Sequence, residues 1–487
     1  MNYLDQLNRF LFKQAQKKPE QLRIWLYASW ACFGICAVLV TGFTFATIFL
    51  SPEAERVWGF WSIVAPIFIL WRSALLLADL HAVFGQQSQN LKQIDFHFEW
   101  ALRLSPNNAT LYCQWGLKLL EQNLWERSRY LFESARDMQP ADDLPYSSLA
   151  RWELKQGNWQ NASRYFDLGY RLRRGVAWND LPERIPTETP APAVIQPIET
   201  SISKLQHDIQ QLEYLLTGQY VPERFRPLLS GLQEVLRQTL GAGQTQRVKL
   251  NKEQQSKIYL VYGRNMFISP VPAFPKEVLN PQLEPTQIEQ TYQQANPALV
   301  ILDDFLMPDA CEALLHFCQK SSIWHDDQRP GGYLGSYMDD GFSCDLLYQI
   351  AHELRDALPG IFKNMPLKHM WAYKYDAQNQ GIGIHADSAS INVNFWISPN
   401  QGNLDPEHGG LLIYPKAAPA DWNFADYNTN DAKAWDYIGQ AQPVCVPFKQ
   451  NRAVIFDSRL FHATDHLNFK SDYLLRRINV TFLYGDP

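Results

Sequence analysis

Four patterns of apolar and polar residues follow one another along the chain. Residues 24–50 are apolar without a single charge, and residues 57–80 form a second apolar stretch, interrupted by Arg72. A hydrocarbon core about 30 Å thick needs about 20 helical residues to cross it, so the two runs predict a transmembrane hairpin joined by the polar turn 51–56. From about residue 91 to 175 the spacing turns helical and repetitive. Ile202, Leu205, Ile209, Leu212, Leu215 and Leu216 then recur at helical spacing, and 221–240 reads as a second amphipathic helix. From about residue 298, short apolar runs of strand length take over: 300–302, 370–375, 391–397, 410–414, 443–447, 453–456 and 478–484. Helical spacing returns there only around Cys311–Cys318 and over 344–358.

The repetitive segment has a period of 34. Phe98, Phe132 and Phe166 are in register, as are Ala101, Ala135 and Gly169. Pro106 and Pro140, Gly116 and Ala150, and Ser128 and Ala162 keep the same step. Small residues at fixed positions let two helices approach closely, and the aromatic fills the gap to the next pair. The pattern resembles tetratricopeptide repeats, and the resemblance implies a helical array over 81–176. Such an array presents a concave surface to a protein or peptide partner, or serves as a rigid spacer. Pro182, Pro186, Pro190, Pro192 and Pro197 then forbid helix and predict an extended linker over 177–200. Amphipathic helices and a connecting segment fill 201–297.

A chain of 487 residues is too long for one core. Its net charge of -6 gives no electrostatic case for nucleic acid. The 7 cysteines are scattered with no CxxC pair, which reads as reduced thiols and not as a disulfide framework. Arg9, Lys13, Lys17, Lys18 and Arg23 precede the first apolar run, and only Arg56 lies between the two. The positive-inside bias therefore predicts that segment 1–23 and the C-terminus are both cytoplasmic. The lipid bilayer is then an expected partner, and a bacterial inner membrane suits the arrangement.

Chemistry concentrates in the last segment, 298–487. His385, Ala386 and Asp387 form a His-x-Asp step, and His462 lies just past an apolar run. One carboxylate and two imidazoles can occupy one face of an octahedral iron(II), leaving three positions open. His466, four residues on, is an alternative to His462. Arg477 opens the final strand, and a cation there could clamp a distant carboxylate. Alternation puts Arg477, Asn479 and Thr481 on one face, with Arg476 as the competitor. Asn392 and Asn394 share a strand face and read equally as ligand-binding amides or as hydrogen-bonded barrel polars. His325 belongs to an expected loop or lid, His408 to a turn, and His369 to packing. The loop 416–442 is long enough for a substrate-facing lid or a partner contact.

The order of strand, His-x-Asp, apolar strand, Gly409-Gly410 strand, His462 strand and Arg477 strand resembles the 2-oxoglutarate/Fe(II)-dependent oxygenases, in particular the prolyl-4-hydroxylase-like branch. The resemblance covers roughly 298–487. It implies Fe(II) on His385, Asp387 and His462, and 2-oxoglutarate as co-substrate on Arg477 and Tyr375, with Asn392 and Asn394 nearby. The fold class expected is multidomain: an α-helical membrane hairpin at 24–80, a helical repeat region, then a double-stranded β-helix (jelly roll) with flanking helices. The activity implied is hydroxylation of a protein or peptide side chain, or of a membrane-associated small molecule. Animal aspartyl/asparaginyl hydroxylases share the layout but lack the carboxylate ligand that Asp387 supplies here. The competing expectation is an anchored repeat scaffold with a catalytically silent barrel.

Overall fold

The computed structural model describes Trp30, Gly34 and residues 56–180, 199–241, 247–274, 277–327, 332–376 and 381–486. The chain divides into two compact units, Met1–Trp152 and Glu153–Pro487. In the first, helices Arg56–Gln87, Leu91–Leu104, Ala109–Glu121 and Trp125–Met138 are joined by short turns. Asn90 caps the second of these helices by accepting from the Lys92 and Gln93 N–H groups. Two of the in-register aromatics sit against glycines. A Cβ on Gly116 would lie 2.4 Å from the Phe132 ring, and one on Gly85 would lie 2.7 Å from the Phe98 ring. Each glycine thus leaves the groove that an aromatic of a following helix fills, and both rings are fully buried.

The expectation of two membrane spans is corrected. Among the described residues no helix is long and apolar enough to cross a membrane. The run 57–80 lies inside helix Arg56–Gln87, where Arg72 and Asp79 both interrupt it. Its C-terminal part is committed to protein: Ala78 and Ala82 pack in one cluster with Ile94, Phe98 and Leu111. Hydropathy alone does not separate helix residues that pack on protein from residues that would face lipid. The first expected span, 24–50, lies outside the described residues save Trp30 and Gly34, and so does the proline-rich stretch 181–198.

The second unit begins within helix Leu144–Lys155 and continues through helix Trp159–Arg174. The latter is tied to its own unit by Tyr170, whose hydroxyl donates to the Ser322 carbonyl (2.9 Å), and by Arg174, paired with Asp340 (2.6 Å). Strands β1 (Glu199–Ser201) and β2 (Arg247–Lys249) form a small antiparallel pair, so the expected linker ends in a strand in which Thr200 is buried. The amphipathic leucines of helix Ile202–Thr217 pack with Leu229, Leu232 and Val235 of helix Arg226–Gly241 in one core.

The remaining strands build two antiparallel sheets. They are β3 (Leu299–Leu302), β4 (Tyr333–Tyr337), β5 (Leu367–Tyr375), β6 (Ile391–Trp396), β7 (Leu411–Ala417), β8 (Val444–Val446), β9 (Ala453–Asp457), β10 (Leu460–Thr464) and β11 (Ile478–Tyr484). Among the described residues one sheet has the order β3-β9-β6-β11-β5-β4 and the other β10-β7-β8. Side chains from both sheets, among them Tyr375, Trp396 and Phe456 from the larger and Ile413 and Val446 from the smaller, share one core. This is a double-sheet sandwich, with the strand-to-strand jumps expected of a jelly roll. A helix lies on the outer face of the larger sheet, where the Tyr484 hydroxyl donates to Ala351 of helix Asp345–Ala357 (2.9 Å), and Phe305, ahead of helix Pro308–Lys320, meets Phe395 edge-on.

Candidate metal centre

The His-x-Asp step and β10 are brought together by backbone pairing. His385 and His462 exchange both backbone hydrogen bonds (3.0 and 2.8 Å), and Asp387 N–H donates to the Ser458 carbonyl (3.0 Å). The three side chains therefore project into one space, with a donor atom from each lying within 4.8 Å of the others. Metal–ligand bonds of roughly 2.1 Å set cis donors about 3 Å apart. Nε2 of His462 is 3.6 Å and Nε2 of His385 4.0 Å from the Asp387 carboxylate, so small side-chain shifts suffice.

The ring orientations are set from behind. His385 Nδ1 lies 2.9 Å from the Gly383 carbonyl and His462 Nδ1 3.0 Å from the Leu460 carbonyl. A carbonyl only accepts, so each Nδ1 carries a proton and each Nε2 is the atom left to face the shared space, where it can ligate a metal once unprotonated. Burial alone would raise the Asp387 carboxyl. The hydrogen bond to His462, the charges of His385 and His462, and the Asn392 amide outweigh it and hold the group below its usual value. Asn392 Nδ2 donates to Asp387 Oδ2 at 2.8 Å, the oxygen that His462 Nε2 also approaches, and so helps to orient the carboxylate.

From Asn392 a line of polar side chains runs along the inward face of the larger sheet. Asn394 donates to Asn392 (2.6 Å), and Asn479 Nδ2 (2.8 Å) and Thr481 Oγ1 (2.9 Å) both donate to Asn394 Oδ1. On the next strand Trp371 stands beside Thr481 and Tyr373 beside Asn479. Arg477 closes the line. Its guanidinium is 4.5 Å from the Tyr375 ring centre, Nε donates to the Gly409 carbonyl (2.7 Å) and Nη2 to the Gly410 carbonyl (3.3 Å). Arg477 is 1% exposed, yet among the described residues Nη1 has no hydrogen-bond partner, and neither has Asn479 Oδ1. A buried guanidinium N–H without an acceptor is costly, so this end of the barrel is suited to an acidic ligand.

The two ambiguities in the sequence have structural answers. His466 is exposed and lies beyond the end of β10, away from the three converging donors. Arg476 points out of the barrel to Asp376 and Gln210. Asn392 and Asn394 hold the carboxylate and each other. His325 is no exposed lid residue, since Nε2 lies 3.0 Å from the Tyr170 hydroxyl. The segment 416–442 contains helices Phe424–Asn428 and Asp431–Ile438. It grips the middle of the His-x-Asp step: Ala386 N–H donates to Tyr427 O and Asn428 Nδ2 donates to Ala386 O, both at 2.9 Å. Sequence reading missed β4, the inward aromatics Tyr333, Tyr337, Trp371 and Tyr373, and the role of Asn479. Odd-numbered alternation from Trp371 to Tyr375 was the available signal for the β5 aromatics.

No family model matches the chain. No curated protein matches it either. Among solved structures it is similar to a non-heme α-ketoglutarate-dependent carbocyclase, SnoK, from nogalamycin biosynthesis (10% identity, 43% of this chain and 87% of that one, TM-score 0.33). It is also similar to HygX from Streptomyces hygroscopicus, solved with nickel and 2-oxoglutarate (11%, 41% and 86%, TM-score 0.30). A third is EctD from S. alaskensis, solved with 2-oxoglutarate and 5-hydroxyectoine (12%, 45% and 86%, TM-score 0.30).

Proposed function

We propose that the chain is an iron(II)- and 2-oxoglutarate-dependent dioxygenase that hydroxylates a protein or peptide side chain or a small molecule. One observation carries the reading. Two Nε2 atoms and a carboxylate converge at one end of the barrel, and a buried, incompletely paired guanidinium stands on the same inward face beyond a polar ladder. His385, Asp387 and His462 would hold the iron, which when bound supplies dioxygen activation for C–H oxidation coupled to loss of carbon dioxide from 2-oxoglutarate.

The chain's own residues do the remaining work. Arg477 Nη1 offers a charge-assisted hydrogen bond to the far carboxylate of the co-substrate, and Tyr375 lines the same end. Asn392 keeps the Asp387 carboxylate turned toward the histidines. Asn394, Asn479 and Thr481 offer polar contacts between the two ends. The aromatic rows of Trp371, Tyr373 and Tyr333 limit water around the co-substrate. The helices of residues 91–138, with their tetratricopeptide-like period, would be suited to hold a peptide partner.

The test uses the full chain with iron(II) and 2-oxoglutarate in the absence of oxygen. The reading predicts a visible metal-to-ligand charge-transfer band in the wild type that is missing in the His385→Ala, Asp387→Ala double variant. Admitting oxygen should then release succinate. A folded wild type without the band removes the dioxygenase reading and favours the scaffold alternative.

A further inference from the structure

A second convergence of metal-binding side chains lies outside the barrel. His408 precedes β7, Cys445 is the central residue of β8, and Asp465 directly follows β10. His408 Nδ1 is 2.9 Å and Cys445 Sγ 3.7 Å from the same carboxylate oxygen, Asp465 Oδ2, and all three donor atoms lie within 4.8 Å of one another. Tetrahedral zinc, with Zn–N and Zn–O of about 2.0–2.2 Å and Zn–S of about 2.3 Å, sets N···O edges near 3.4 Å and S···O edges near 3.6 Å. The S···O edge of 3.7 Å is close to that value, and the N···O edge of 2.9 Å, now a direct hydrogen bond, would open by about 0.5 Å on binding.

The burial is uneven in an informative way. His408 and Cys445 are exposed, while the Asp465 carboxylate they face is buried. A buried carboxylate needs strong compensation, and a thiol is a weak donor. His466 supplies a neighbouring imidazole, its ring edge-on to His408 with centroids 6.3 Å apart. Three donors of three chemical types, contributed by three chain segments, therefore surround a solvent-facing position with a fourth candidate beside it.

We propose that His408, Cys445 and Asp465, with His466 or water as the fourth ligand, bind a thiophilic divalent metal, zinc(II) foremost. On binding, the Cys445 thiol loses its proton to solvent as the metal–sulfur bond forms, and His408 binds through the lone pair of its neutral ring. The metal would join the three segments that frame the Gly409–Gly410 turn. Asp465 N–H donates to the Gly410 carbonyl (3.2 Å), and the Gly409 carbonyl accepts from Arg477 Nε. That turn has no slack, because a Cβ on Gly410 would lie 1.8 Å from the Val446 carbonyl oxygen. Metal here thus stiffens the backbone that aims Arg477, a consequence that rests on the proposed dioxygenase reading, whereas the site itself does not.

Cobalt(II) is the probe, because only a thiolate ligand gives a near-ultraviolet sulfur-to-cobalt charge-transfer band. The full-length His385→Ala, Asp387→Ala variant, which has lost the barrel donors, should develop that band on titration with cobalt(II). Adding Cys445→Ser should abolish it, and His408→Ala should weaken binding. Zinc(II) should raise the melting temperature of the double variant by a few degrees and leave the Cys445→Ser triple variant unmoved. Absence of the band, or its persistence in Cys445→Ser, overturns the proposal and leaves a His408–Asp465 ion pair beside a spectator thiol. Neither outcome touches the iron(II) and 2-oxoglutarate band of the wild type, so the two readings fail separately.

Discussion

Arg477 and Arg476 are adjacent, identical and both buried, and the proposed chemistry needs only one of them. Arg477→Met removes the donor that faces the barrel. Nη1 has no hydrogen-bond partner among the described residues, and a charge-assisted hydrogen bond from it to a carboxylate is worth about 1.5–3 kcal/mol. Nη2, already 3.3 Å from the Gly410 carbonyl, can share a second, weaker contact. Affinity for 2-oxoglutarate should therefore fall roughly 10- to 100-fold or more, at about 1.4 kcal/mol per decade. Arg477→Lys keeps the charge but loses the fork, and should fall in between. Arg477→Met also strands the buried Gly409 carbonyl at a cost of about 1–3 kcal/mol, whereas the Gly410 carbonyl keeps the Asp465 N–H, so native near-ultraviolet dichroism is required before binding is compared. The assay is anaerobic titration of the iron(II)-loaded full chain with 2-oxoglutarate, followed by the charge-transfer band. Arg476→Met, which loses only the outward pairing with Asp376 and Gln210, should bind normally. Binding by folded Arg477→Met within about threefold of wild type, or an equal loss in Arg476→Met, would refute the reasoning.

Asn392→Ala removes the 2.8 Å support of Asp387 and should lower iron(II) affinity about 10- to 100-fold, read by anaerobic titration; unchanged affinity would remove Asn392 from the site. Gly116→Ala drives a methyl into the Phe132 ring and should destabilise the first unit by about 1–3 kcal/mol in denaturant melts, while Gly157→Ala, with open space around it but a left-handed φ of 75°, should cost less. Lys374 is 0% exposed, its Nζ has no hydrogen-bond partner among the described residues, and it sits 3.8 Å from the Tyr473 ring centre. Burial, with the Arg476 charge second, pushes its pKa well below the ordinary lysine value of 10.5. Between the depressed folded value and 10.5 only the unfolded chain binds the proton. Stability should therefore rise with pH across that window, by up to about 1.4 kcal/mol per unit. Lys374→Met should be more stable than wild type at neutral pH by an amount that shrinks as pH rises; a constant difference refutes the assignment.

What could be read from the sequence follows from how local each determinant is. His385 and Asp387 are two residues apart, and the step is visible wherever strands surround it. The final strand keeps strict alternation, so the sequence alone places Arg477, Asn479 and Thr481 on one face. Strand β4 was not legible, because Tyr-Leu-Gly-Ser-Tyr carries no clean alternation and Gly335 argues against a strand. The second metal-binding convergence was hidden for a different reason: His408, Cys445 and Asp465 meet only through the pairing of β7 with both β8 and β10. The transmembrane expectation failed where a local signal has two physical meanings. Apolar helices are written alike for lipid and for protein interior, and only the partners that Ala78 and Ala82 find distinguish the two. The choice between Arg476 and Arg477 shows the opposite case. A single step along an extended backbone reverses the side chain's direction, so one arginine enters the barrel and its twin leaves it. Local chemistry cannot tell the two residues apart, while the pleat, which can be read from the sequence alone, does.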